Sequence, residues 1–223
     1  MQSTTRSPSH DKRPQSLVRL EAWSDPQCVW CFIAHPRFVK AVAAFEGEVE
    51  VTYRSFELRP DAPVEIDTEQ QIAQHAGANR ERVDAINAQL TALADAEGLS
   101  YRPDLTRPTN SRFALELLHH AGQAGQRATL TSRLFSAHFS EGCHIGRIDE
   151  LLALAHEVGL DRETARAVLT ERRHRKAVEQ DHARLRALGA RGVPLYVING
   201  QRGISGAQPV QTYFDALERA AAA

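Results

Sequence analysis

At 223 residues the chain is long enough for one large domain, or for a domain carrying an insertion, and it can bury a substantial core. Its 27 basic residues nearly cancel its 28 acidic ones, so no overall field directs it to nucleic acid or to an anionic membrane surface. Three cysteines are too few for a disulfide framework, and no stretch approaches the roughly 18 apolar residues of a transmembrane helix.

The N-terminal MQSTTRSPSHDKRPQS is polar, rich in Ser and Pro, and lacks the apolar run of a secretory signal. Residues 1–16 therefore read as a disordered tail, and the expected compartment is the cytoplasm. Leu17 to Trp23 is a short apolar run with the character of a strand, ending in Ser24-Asp25-Pro26. Cys28-Val29-Trp30-Cys31 then opens a helix. Side chains at i and i+3 share a face, so the two thiols can close a disulfide with little backbone movement. Cys28 falls at the helix N-terminus, where unpaired N–H groups and the helix dipole favour a thiolate. Cys31, one turn further and among apolar neighbours, is the natural resolving thiol.

Phe32, Phe38, Val39, Val42 and Phe45 continue the helical spacing as far as Gly47, with a kink expected at Pro36. Val49 to Leu58 alternates as a strand that ends before Pro60, which completes a βαβ unit with a parallel pair. A loop over Asp61 to Asp67 leads into a series of helical patterns: Thr68–Gly98, Asn110–Gly122, Arg127–Gly142, Asp149–Gly159 and Asp161–Leu188. Such helices with short connections pack as a layer, here as an insertion. The dense basic run Arg172 to Lys176 lies inside the last pattern and reads as a solvated face. Beyond it Gly192-Val193-Pro194 leads into a strand at Leu195–Ile198, Asn199-Gly200 makes a two-residue hairpin turn, and Arg202–Ser205 is the antiparallel partner. A last helix carries Val210, Tyr213, Phe214 and Leu217 on one side. The predicted fold class is α/β, ordered βαβ, helical insert, ββα. Residues 17–65 and 189–223 form one discontinuous domain, and 66–188 are inserted in it.

A dithiol at the start of the first helix and a Val-Pro at the start of a late strand resemble the thioredoxin fold, in which a cis-proline loop faces the dithiol. A proline heading a central strand cannot donate to the ladder, and a cis bond facing the site supplies a reason for it. More narrowly, the sequence resembles the DsbA-like FrnE family of thioredoxin-fold oxidoreductases. The resemblance rests on Ser24-Asp25-Pro26 before the Cys28–Cys31 pair, Thr109-Asn110-Ser111 before a helix, Leu134 to Gly142 followed by Ile145, Gly192-Val193-Pro194, and Ser205-Gly206-Ala207-Gln208-Pro209. It implies a thiol–disulfide oxidoreductase with Cys28, Cys31 and Pro194 at the reacting centre and Val193, Trp30, Gly206 and Gln208 around the substrate. Protein or small-molecule thiols and disulfides are the implied partners. No metal, nucleotide or flavin is implied; the redox group is the dithiol itself, with glutathione or another low-molecular-weight thiol as candidate co-substrate. The family commonly carries proline after the first cysteine, where this chain has Val29, so the redox potential does not transfer. The alternative is a glutathione-dependent isomerase or transferase of the 2-hydroxychromene-2-carboxylate isomerase type, whose members keep a single serine or cysteine at the first position.

A zinc reading of Cys28 and Cys31 needs two more ligands, and only the distant Cys143-His144 offers any. Trp30 suits a substrate platform and a partly exposed apolar residue equally. Asp25 and Glu21 lie just upstream, where a buried carboxylate would accept the proton of the resolving thiol, but both read as solvated acids. Cys143 reads as a partly buried, inert thiol in a connection of the insert.

Overall fold

The computed structural model describes residues 16–65 and 80–223. The expected N-terminal tail, but for Ser16, and the first part of the helix expected from Thr68 lie outside the described residues. Strand β1 (Val18–Ser24) is central, flanked by β2 (Val49–Ser55) in parallel and by β3 (Leu195–Ile198) antiparallel; β4 (Arg202–Ser205) pairs antiparallel with β3. The sheet order is β2-β1-β3-β4. Helix α1 (Val29–Ala44) follows β1 and runs through Pro36 as one element. Between β2 and β3 lie α2 (Arg80–Asp95), α3 (Arg112–Gln123), α4 (Arg127–Phe139), α5 (Ile148–Glu157), α6 (Arg162–Thr170) and α7 (Arg175–Ala187); α8 (Val210–Ala221) closes the chain. This is a thioredoxin fold with a helical insertion.

The period of two along β1 divides its side chains between two cores. Val18, Leu20 and Ala22 face α1 and α8, meeting Phe38, Ala41, Tyr213 and Leu217. Trp23 faces the other way and packs with Phe56, Leu195, Val197 and Leu185 of α7. A third cluster centres on the dithiol: Cys28, Cys31, Phe32 and Ile33 pack with Leu90 and Ala94 of α2 and with Phe135 and Phe139 of α4. The insert therefore forms one wall of the dithiol region, while a separate core of Leu, Ile and Ala, with Val178 from α7, holds α3 to α7 together.

Four expectations about the elements need correction. The strand after α1 stops at Ser55, not Leu58, because the chain leaves the ladder to bond the turn after β1: the Phe56 N–H donates to the Ser24 carbonyl at 3.1 Å, and the Leu58 N–H to the Asp25 carboxylate at 2.8 Å. The connection of β3 to β4 has three residues, 199 to 201, because Ile198 pairs with Arg202; Asn199 and Gly200 both take positive φ, and Gln201 N–H bonds back to the Ile198 carbonyl at 3.1 Å. The helix expected over Asp161–Leu188 is two helices, broken where Arg172 adopts φ of 56°. Arg172 is no solvated cation: its guanidinium bonds the fully buried Glu116 carboxylate, with Nε at 2.8 Å, and covers the Phe113 ring. A carboxylate buried in the insert's core requires a counter-charge, and supplying it ends the helix.

Candidate active site

Strands β1 and β2 end side by side, with Ser24 opposite Ser55, and β3 begins beside Trp23. The β1–α1 turn, the segment after β2 and the loop before β3 therefore meet at one end of the sheet. Cys28 is the N-cap of α1; its sulfur accepts the Cys31 N–H at 3.3 Å, the role usually taken by a Ser or Asp oxygen. The Cys28 thiol points at the Val193 carbonyl, 3.5 Å away. Both thiols are free, and both are buried. Burial, foremost, and the neighbouring Cys28 push the Cys31 thiol well above its ordinary value, although the Asp25 N–H and the Ser24 hydroxyl face its sulfur.

The Val193–Pro194 bond is cis. Among the described residues, neither the N–H nor the carbonyl of Val193 makes a backbone hydrogen bond. The turn after β4 packs on this loop: Gly206, at φ of 79°, donates its N–H to the Pro194 carbonyl at 3.0 Å. The Gln208 side chain is tied back to the Ser205 carbonyl at 2.9 Å, and Ala207 packs against the dithiol cluster. Trp30 stands 42% exposed at the rim.

Asp25 is not a solvated acid. It is wholly buried beneath the dithiol turn and accepts N–H bonds from Gln27 at 3.0 Å and Leu58 at 2.8 Å. Burial raises its pKa from 3.8 to about 6, with bonds from Leu58, Gln27 and Ser111 pulling the other way. Glu21 is not solvated either. It lies on the α7 face of the sheet, paired with Arg54 at 2.8 Å and Arg184 at 2.7 Å. Burial opposes its charge, and these two guanidiniums outweigh burial and hold the carboxyl below its ordinary value. Cys143 packs against the insert's own core, away from the dithiol cluster, and burial together with nearby carboxylates raises its pKa. Among the described residues no three His, Cys, Asp or Glu side chains gather as a metal would need.

A family model described as a DSBA-like thioredoxin domain matches residues 19–218. The chain belongs to the DsbA-like thioredoxin family. A probable DsbA oxidoreductase from Streptomyces coelicolor is 34% identical, with a TM-score of 0.84 over 91% of this chain and 89% of that one. The fold alone is shared with 2-hydroxychromene-2-carboxylate isomerase (17% identity, TM-score 0.70, 90% and 95% coverage). It is also shared with the cytosolic disulfide reductase DsbM from Pseudomonas aeruginosa (21%, 0.65, 90% and 97%), which has been solved with GSH as well.

In this DsbA-like chain the insert reaches the dithiol turn through residues that sequence reading placed only as a motif. Ser111 occupies the N-cap position of α3 yet makes no capping bond. Its hydroxyl instead accepts from the Gln27 side chain at 3.3 Å and bonds the Asp25 carboxylate. Asn110 caps α3 one residue early, accepting the Arg112 N–H at 2.8 Å, and its amide donates to the carbonyls of Arg59 and Ala62 at 3.2 and 3.1 Å. The Thr109 hydroxyl donates to the Val64 carbonyl at 2.8 Å. Gly146 lies so close that a Cβ there would come within 2.1 Å of the Thr109 oxygen. Thr109-Asn110-Ser111 thus fastens the segment after β2 and the dithiol turn to the insert. The signal available was a run of three capping residues where a helix uses one.

Proposed function

We propose that this chain is a thiol–disulfide oxidoreductase acting through Cys28 and Cys31. The observation that carries the reading is the Cys28 sulfur, capping α1 and facing the Val193 carbonyl beside a cis-proline, with a second thiol one turn below. The Cys28 thiolate attacks a substrate disulfide, forming a mixed disulfide and releasing one thiol. Cys31 then attacks the Cys28 sulfur, releasing the second thiol and leaving the protein oxidised. The backbone of Val193 gives an extended substrate strand-like hydrogen bonds beside the reacting sulfur, with Trp30 and the Gly206–Gln208 turn on the rim. Asp25 is the proton acceptor for Cys31: it sits under the same turn and is ionised above about pH 6.

The fold alone does not separate this reading from the isomerase one, and the second thiol supports the dithiol route because single-nucleophile chemistry has no use for Cys31. Among the described residues no helix is long and apolar enough to cross a membrane. Low-molecular-weight thiols such as glutathione are the proposed co-substrates and the cytoplasm the proposed compartment. The deciding test is the pair of variants Cys28→Ser and Cys31→Ser. The first is expected to abolish exchange and the second to accumulate a mixed disulfide visible by mass spectrometry. Normal turnover by Cys31→Ser would transfer support to the monothiol isomerase reading.

A further inference from the structure

Two cavities lie at the dithiol end of the sheet, on its α7 face. One, of about 390 Å³, is lined by Glu57, Pro60, Arg112, Val178, His182 and Arg186 among others. The second, of about 430 Å³, is lined by Phe56, Arg186, Gly189, Ala190 and Arg191. Each is large enough for a small ligand. Arg186 lines both, so the two cavities meet at that residue as one groove.

Two segments of the chain connect the groove's lining to the reacting centre. Glu57 lies between Phe56, bonded to the Ser24 carbonyl, and Leu58, bonded to Asp25. Arg191 is two residues before Val193, within about 7 Å along the chain, and the Val193 carbonyl lies 3.5 Å from the Cys28 sulfur.

The charges in the groove do not cancel. Arg112 is matched by Glu57 at 3.0 Å, and Arg175 by Glu179 at 2.8 Å. Among the described residues no carboxylate pairs with Arg186 or Arg191. His182, stacked on Phe56 with ring centroids 4.5 Å apart, adds an aromatic wall, and burial together with Arg186 lowers its pKa. An apolar floor with two unmatched guanidiniums beside a dithiol suits a ligand that carries a carboxylate near its sulfur.

Resting on the oxidoreductase reading above, we propose that this groove is a specificity site in which Arg186 and Arg191 hold a carboxylate of a low-molecular-weight disulfide substrate while Cys28 attacks its sulfur. The reaction is balanced by the dithiol: protein dithiol and RSSR give protein disulfide and two RSH.

The test is the rate at which the reduced protein is oxidised by oxidised glutathione, which carries carboxylates, and by bis(2-hydroxyethyl) disulfide, which carries no charge, followed by acid quenching and mass spectrometry. The ratio of the two rate constants is expected to fall about fivefold in the double variant Arg186→Gln/Arg191→Gln, as the loss of two exposed charge contacts implies. The ratio for the wild-type protein is expected to fall similarly with added salt. Arg219→Gln, an exposed cation on α8, is expected to keep the wild-type ratio. An unchanged ratio in the double variant, or an equal fall in Arg219→Gln, would overturn the groove as the site. Failure of the wild-type protein to form the Cys28–Cys31 disulfide with either compound would instead remove the oxidoreductase reading on which it rests.

Discussion

Cys28 and Cys31 are one helical turn apart yet meet different surroundings. Cys28 faces the Val193 carbonyl at the open end of the sheet, whereas Cys31 is sealed among Phe32, Ile33 and the insert, with its thiol pushed up by burial. Alkylation of the reduced protein near neutral pH is therefore expected at Cys28 at least about tenfold faster than at Cys31; prior labelling of Cys31 would reverse their roles. Asp25 adds a pH dependence of definite sign. Its carboxyl holds a proton more tightly in the folded protein, at about 6, than in the unfolded chain, near 3.8. Its contribution to stability is thus present below about pH 4 and lost as pH rises through about 6. Compared with Asp25→Asn, the wild-type protein should lose roughly 2.5 kcal/mol of unfolding free energy between about pH 4 and pH 7. Denaturant unfolding of both proteins at the two pH values measures the difference, and parallel curves would mean that Asp25 is already ionised at low pH.

A charge pair sets the boundary between two of the helices. Arg172, in the break between α6 and α7, is the counter-charge of Glu116, which is buried in α3. Arg172→Ala leaves that carboxylate unpaired and should cost on the order of 3 kcal/mol. Adding Glu116→Gln should restore about half of the loss, because an amide tolerates burial better than a charge. A double-mutant cycle by urea denaturation checks both numbers, and additivity of the two substitutions would show that the pair does not hold the break. The end of β2 follows the same logic. The residues after Ser55 leave the ladder because the buried Asp25 carboxylate accepts the Leu58 N–H, so a residue of the dithiol turn sets the length of a neighbouring strand.

For the whole molecule, the dithiol helix is the joint between the sheet and the insert. Phe32 stacks on Phe139 at 5.0 Å and meets Phe135 at 6.0 Å, while Leu90 and Ala94 close the cluster from α2. On the other face, Leu185 of α7 enters the core with Trp23, and Asp181 accepts the Ser55 N–H at 2.9 Å. Helices of the insert thus contribute to the cores on both sides of the joint. Phe139→Ala is expected to cost about 3–5 kcal/mol and to lower the melting temperature of a single transition. Two separate calorimetric transitions would show that the insert and the sheet unit are energetically independent.

The sequence by itself determined the parts that depend on neighbours within one turn or one pleat. The dithiol spacing, the strand-helix-strand order around it, and the return of Leu195–Ile198 and Arg202–Ser205 to the sheet as a hairpin are local periodicities, and the structure holds them at nearly the expected residues. Asp25 and Glu21 were misread for the complementary reason. Whether a carboxylate is solvated depends on what packs over it, and the groups over these two, Leu58 and Arg54, lie 33 residues away, with Ser111 and Arg184 further still. Ser111 and Arg172 were legible as residue types suited to a cap and a surface, and only folding turned one toward Gln27 and the other onto Glu116. Tertiary structure decided these because desolvating a charge costs more than a local propensity supplies, so the partner that compensates a buried charge overrides the helix or strand its own neighbours favour.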